Sequence, residues 1–208
     1  MSCTAVTEHR AQLGEGPFWD VPTQALYWVN IAGKQALRFM GGQLRVWQLP
    51  EHVSAFIPCE RGDALVTLSS GVYRLDLDSE ALTLLCVADP QPGNRGNEAR
   101  CDAQGRLWLG TMQNNIGEQG EDLPITRRSG GLFRVDADAQ VTPLLSGLGI
   151  PNTLLWSEDG RQVHFGDSLD ATLYQHTIQA DGQLEPATLW FGPHARGGPD
   201  GSAMDSQG

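Results

Sequence analysis

The chain has 208 residues, 40% of them hydrophobic, which is enough for a buried core and too apolar for a disordered segment. Its formal net charge of −11, from 14 basic and 25 acidic side chains, argues against nucleic acid or an anionic membrane as partner. No apolar run approaches the roughly 20 residues needed to cross a bilayer, and Met1 to Gln12 is too polar for a secretory signal.

The expected setting is therefore the cytoplasm. The four cysteines, Cys3, Cys59, Cys86 and Cys101, have no CxxC spacing and are expected to be free thiols. Helix periodicity is weak throughout. With 25 glycines and 12 prolines, the apolar residues fall into short runs bounded by Gly, Asp and Pro. Taken in chain order, these runs predict β-strands at 25–31, 64–68, 72–77, 107–111, 131–135 and 163–165. The expected fold is all-β, with residues 1–208 as one domain.

A frame recurs along these strands. A polar residue opens it, Asp or Ser follows five positions later, and Gly three positions after that. Asn97, Asp102 and Gly105 fit it, as do Asn152, Ser157 and Gly160, and Asp200, Asp205 and Gly208. Glu15 with Asp20, and Ser54 with Cys59 and Gly62, follow the same outline. The five frames start 39, 43, 55 and 48 residues apart. Several strands per unit at about 40–50 residues mark the blades of a β-propeller. Short, regularly turned strands also occur in β-sandwiches, but fivefold recurrence favours the propeller.

Matching positions of successive blades face one central axis. Glu15, Ser54, Asn97, Asn152 and Asp200 therefore converge there on otherwise apolar strands. Polar groups so placed must be hydrogen-bonded, hydrated or coordinated. Two readings stay open: a water-filled channel, or a cation site. Glu, Asn and Asp oxygens suit Ca²⁺, Mg²⁺, Mn²⁺ or Zn²⁺.

Other motifs carry no chemistry. Gly14-Glu15-Gly16 is followed by Pro17 and lacks the third glycine of a dinucleotide loop. There is no G-x-S-x-G. His9, His52, His164, His176 and His194 lack ligand spacing, and Arg127-Arg128 reads as a solvated loop. Trp19, Trp28, Trp108 and Trp156 read as packing between blades.

At these same residues the sequence resembles the regucalcin (senescence marker protein), gluconolactonase and xylonolactonase family of six-bladed propellers. The likeness is carried by Leu13-Gly14-Glu15-Gly16-Pro17-Phe18-Trp19, Asn94-Arg95-Gly96-Asn97, Asp102 to Arg106 with Gly110-Thr111-Met112, Pro151-Asn152 with Trp156-Ser157, and Pro199-Asp200-Gly201. The resemblance implies hydrolysis of a sugar lactone to the aldonic acid in carbohydrate catabolism, with one divalent cation (Ca²⁺, Zn²⁺, Mn²⁺, Mg²⁺ or Fe²⁺) as cofactor. Its ligands would be Glu15, Asn152 and Asp200, with Asp200 also the general base and Arg95 and Asn97 contacting substrate. Alternatives are a non-catalytic calcium-binding scaffold or a related ester or phosphotriester hydrolase. The expected state is a monomer or weak oligomer.

The sequence departs from the family pattern at two places. Glu98-Ala99 stands where Asp-Gly is common, a variant associated with the sugar-lactonase branch, and Thr153 stands where Gly is common. The chain also ends inside its fifth frame, so a ring truncated to about four and a half blades is expected. In it, the closing strand near 6–12 would lack a partner.

Overall fold

Each short apolar run forms a strand, and each strand pairs with the one before it through a tight turn. In the computed structural model, which describes residues 4–205, these strands make four antiparallel four-stranded sheets. The first holds β1 (Gly14–Asp20), β2 (Ala25–Asn30), β3 (Gln35–Met40) and β4 (Gln43–Gln48). The second holds β5 (Val53–Pro58), β6 (Asp63–Leu68), β7 (Gly71–Asp76) and β8 (Leu82–Cys86). The third holds β9 (Asn94–Cys101), β10 (Leu107–Gln113), β11 (Gly130–Val135) and β12 (Val141–Leu148). The fourth holds β13 (Pro151–Trp156), β14 (Gln162–Asp167), β15 (Thr172–Thr177) and β16 (Thr188–Phe191). Every sheet is a simple meander, and together they are four consecutive propeller blades. Cys3 and Gly208, the last residue of the fifth frame, lie outside the described residues. Among the described residues no helix is long and apolar enough to cross a membrane.

Three apolar cores cement neighbouring blades. Tyr27, Val29, Trp47, Val53, Phe56 and Val66 pack between the first and second. Ala55, Val72, Ala99, Leu107, Leu109 and Val135 pack between the second and third. Trp108, Leu132, Leu154, Val163 and Phe165 pack between the third and fourth. Trp108 is fully buried and meets Trp156 edge-on at 5.6 Å, as expected of both. Trp19 departs from the expectation: it is half exposed on β1. Trp47, which no motif had singled out, is instead fully buried, and its indole N–H donates to the Leu77 carbonyl at 3.1 Å.

The recurring frame now has a structural cause. Its glycine closes the turn between the two innermost strands in the left-handed region, at φ of 80° for Gly62, 75° for Gly105 and 67° for Gly160. In the third blade the frame's aspartate completes the turn. Asp102 accepts hydrogen bonds from the backbone N–H of Gln104 and Arg106, from Arg106 Nε at 2.7 Å and from Trp108 Nε1 at 2.9 Å.

Two expectations need correction. The segment 6–12 forms no strand; its last residue, Gln12, and the adjoining Leu13 instead donate their backbone N–H groups to Asn30 Oδ1. The fifth frame opens at Asp200 without a strand; side chains of the third and fourth blades hold it instead of a ladder. Arg127-Arg128 lies in an exposed loop, as expected, and its guanidinium groups also make specific contacts. Arg128 donates to both carboxylate oxygens of Asp170 and to the buried Asp167, and Arg127 donates to the Pro92 carbonyl. The loop carrying them thus ties the third blade to the fourth.

Trp108→Ala should test the third core. It removes a buried indole and strands a lone pair of Asp102, so we expect a loss of about 3–5 kcal/mol in urea unfolding. Trp19→Ala, on an exposed surface, should change stability by no more than about 0.5 kcal/mol.

Candidate functional site

Each innermost strand carries one extra residue. The register slips between Glu15 and Phe18 in β1, between Val53 and Ala55 in β5, between Gly96 and Ala99 in β9, and between Asn152 and Leu154 in β13. All four frame-opening residues sit on or beside these bulges. A bulge breaks the alternation of faces and re-aims a side chain that would otherwise enter the sheet packing. Gly16 supports the first, at φ of 59°; at the fourth the equivalent conformation falls on Thr153, at φ of 52°.

Around the axis the polar groups form one hydrogen-bonded set. Arg95 is buried at the start of β9. Its Nη1 donates to the Gly96 carbonyl at 2.7 Å and to Asn97 Oδ1 at 3.0 Å, and its Nη2 donates to Asn115 Oδ1 at 2.7 Å. Asn97 Nδ2 in turn donates to the Pro151 carbonyl at 2.9 Å and to Asn152 Oδ1 at 3.2 Å. Asn152 Nδ2 donates to Ser168 Oγ at 2.8 Å. The third and fourth sequence frames are therefore joined by Asn97, which reaches from β9 to β13.

Ser54 is the exception among the frame openers. It is buried, and its hydroxyl meets Thr67 Oγ1 at 2.7 Å beneath Gly96. A Cβ on Gly96 would stand 2.6 Å from that hydroxyl, so the close approach of β5 and β9 requires glycine there.

Two carboxylates remain. Burial raises the pKa of Glu15 above the usual carboxylate value, and the negative charge of Asp200 adds to the rise; the Gly16 N–H and Arg95 oppose it. Glu98 is also pushed up, first by burial, with Glu15 and Asp200 adding to the effect and Arg100 opposing it. Arg95 is pushed down to about 10 by burial, against the pull of Glu15. Among the described residues neither Glu15 nor Asp200 forms an ion pair with a cationic side chain. Arg95 Nε is buried with no hydrogen-bond partner. The arrangement thus combines uncompensated negative charge with an unspent cationic donor.

The donor set suits a divalent cation in its chemistry: two carboxylates and an amide oxygen, all hard ligands. Among the described residues no three His, Cys, Asp or Glu side chains gather into a metal-holding group. A cation here would need the Asn152 amide as its third protein ligand. Two residues of the site gave no signal in the sequence. Asn115 lies in a polar stretch with no periodicity, and Ser168 lies at the end of a strand where a serine is unremarkable; only the folded contacts identify them.

Residues 13–208 match the model of the SMP-30/Gluconolactonase/LRE-like region. The chain is 32% identical over 210 residues to a 6-deoxy-6-sulfogluconolactonase of Pseudomonas putida, covering 98% of this chain and 68% of that protein. It is 33% identical over 214 residues to an L-arabinolactonase of Azospirillum brasilense, covering 99% and 68%. Among solved structures, a calcium-binding protein, regucalcin, from Agrobacterium tumefaciens str. C58 superposes with a TM-score of 0.86 at 28% identity, over 98% of this chain and 68% of that one.

The Glu15 charge gives a test that needs no substrate. A carboxyl with a raised folded-state pKa binds protons more readily folded than unfolded, so its contribution to stability falls as pH rises through its titration range. In chelator at neutral pH, Glu15→Gln should raise Tm by about 2 °C. The gain should shrink as the pH is lowered towards the unfolded carboxylate value of about 4.3. An equal gain at all pH values would show that repulsion is not its source.

Proposed function

The chain belongs to the SMP-30/Gluconolactonase/LRE-like family, and from that membership we propose that it serves as a divalent-metal-dependent hydrolase opening sugar lactones to aldonic acids in carbohydrate catabolism. Lactonase relatives at 32% and 33% identity over nearly the whole chain support the substrate class. The observation that carries the site assignment is the joining of Arg95, Asn97 and Asn152 in one hydrogen-bonded set, beside Glu15, whose ionisation the charge of Asp200 disfavours.

In this reading Glu15, Asn152 and Asp200 hold one cation drawn from Ca²⁺, Zn²⁺, Mn²⁺, Mg²⁺ and Fe²⁺. When bound, it supplies Lewis acidity at the lactone carbonyl. The remaining work belongs to side chains. Arg95 has donors left after its three bonds to Gly96, Asn97 and Asn115, and they serve sugar hydroxyls or the oxygen on which charge develops. Asn97 is held by Arg95 and by the Pro151 carbonyl, so its amide meets the substrate without reorganising. Asp200 is exposed and accepts the proton of the attacking water. The water oxygen bonds to the carbonyl carbon, the ring C–O bond breaks, and the proton passes to the departing alkoxide, giving the open hydroxy acid.

The name of the regucalcin neighbour as a calcium-binding protein favours a second reading, a cation-binding propeller without catalysis. One experiment separates the two. A panel of glucono-, galactono-, xylono- and arabinolactones, with aryl esters and phosphotriesters as controls, is followed by acid release with and without divalent ions. We expect metal-dependent opening of lactones, and a loss of about 100-fold in kcat/KM for Asp200→Asn. Tight calcium binding with every lactone left intact would favour the scaffold. Full activity in Asp200→Asn would remove that residue from its role.

A further inference from the structure

Thr153 stands at a costly position. It is fully buried, β-branched and left-handed at φ of 52°, on the bulge of β13 that follows Asn152. Such a conformation persists in a branched residue only where the surroundings hold it. Its hydroxyl donates to the backbone carbonyl of Asp200 at 2.7 Å. That spends its only proton, so in the contact with Ser202 Oγ, also 2.7 Å, Ser202 is the donor. One turn of chain is thereby gripped at two points by a single oxygen.

Ser168 grips the preceding residue. It donates to the Pro199 carbonyl at 2.5 Å and accepts from Asn152 Nδ2 at 2.8 Å. Arg100 Nη2 adds a third anchor, on the Ser202 carbonyl at 2.6 Å. The segment bearing Asp200 has no ladder of its own. Its position rests on side chains of β9, of β13 and of the residue after β14. Two of those contacts run directly into Asn152: Thr153 is its neighbour in sequence, and Ser168 fixes which face of its amide is the donor.

We propose that Thr153 and Ser168 are positioning residues that clamp the 199–202 segment against β13 and so set Asp200 and the Asn152 amide oxygen in register at the axis. The hydroxyl of Thr153 is what offsets its backbone strain. The consequence for cation binding rests on the metal reading above, whereas the consequence for the order of the segment does not.

The test uses the 208-residue chain as it exists, with Thr153→Val, Thr153→Ser and Ser202→Ala. Valine keeps the branched shape and the strained turn and loses only the hydroxyl. Two readouts are taken: the rate of cleavage within 200–205 by a broad-specificity protease, followed by mass spectrometry, and Mn²⁺ affinity by calorimetry. We expect Thr153→Val to speed cleavage in that segment by about tenfold, with no new cuts in the blade strands, and to weaken Mn²⁺ by about tenfold. Thr153→Ser should stay within about twofold of the parent on both. Unchanged cleavage within 200–205 in Thr153→Val overturns the clamp. If the parent binds no Mn²⁺ while local cleavage still rises, the clamp stands and the metal reading falls. Should Thr153→Val unfold globally, Ser202→Ala decides: faster local cleavage supports the clamp and unchanged cleavage overturns it.

Discussion

The single-residue bulge in each innermost strand is the constraint on which the centre of this molecule depends. Strict alternation on β1, β5, β9 and β13 would send every second side chain into the apolar cores between blades. An extra residue at the top of each strand lets the lower half pack while the upper half turns a polar side chain towards the axis. The cores then need only close packing below the bulge, and the site needs only hydrogen bonding above it. Asn97 shows the division well. Ala99, two residues on, lies in the core between the second and third blades, while Asn97 itself spends its amide on the Pro151 carbonyl and Asn152.

The same division explains how much could be read from the sequence. The frames at 15, 54, 97 and 152 located all four innermost strands, because a polar residue at the bulge and, in three of the four, a turn glycine eight residues on recur wherever a blade begins. The apolar runs located β2, β6, β10, β11 and β14, which are largely buried on both faces, and β7, whose alternate residues are buried. The outer strands left little trace. Gln43–Gln48 and Thr188–Phe191 are mostly exposed, so nothing forces a periodic apolar pattern on them. The fifth frame misled in the opposite sense. Its residues match the pattern, but Asp200 is held by hydroxyls of another blade and not by a ladder.

The side chains that orient the candidate site were the least legible part. Asn115, Ser168 and Thr153 act through contacts across 20 or more residues or between blades, such as Arg95 with Asn115 and Thr153 with Asp200. A departure from a family pattern at 153 was visible, but its cost was not, because a positive φ exists only in the folded chain. The partners of Arg128 were hidden for a related reason. Its loop is exposed as expected, but the aspartates it pairs with lie 39 and 42 residues away.

The balance of charge around the axis gives the chemistry its direction. The charge of Asp200 raises the cost of ionising Glu15, and Glu15 and Asp200 raise that of Glu98, while Arg95 opposes the first and Arg100 the second. Much of each arginine is already committed: Arg95 to Gly96, Asn97 and Asn115, and Arg100 to Glu98 and the Ser202 carbonyl. Glu98 is therefore answered by Arg100 at 3.2 Å, and Glu15 is answered only at a distance. A neutral axis lined by amides would carry a lower electrostatic cost, since the half-buried Glu15 ionises at a penalty that burial and the charge of Asp200 impose. In the proposed reading a divalent cation would balance the charges of Glu15 and Asp200 and leave room for a neutral oxygen from substrate or water.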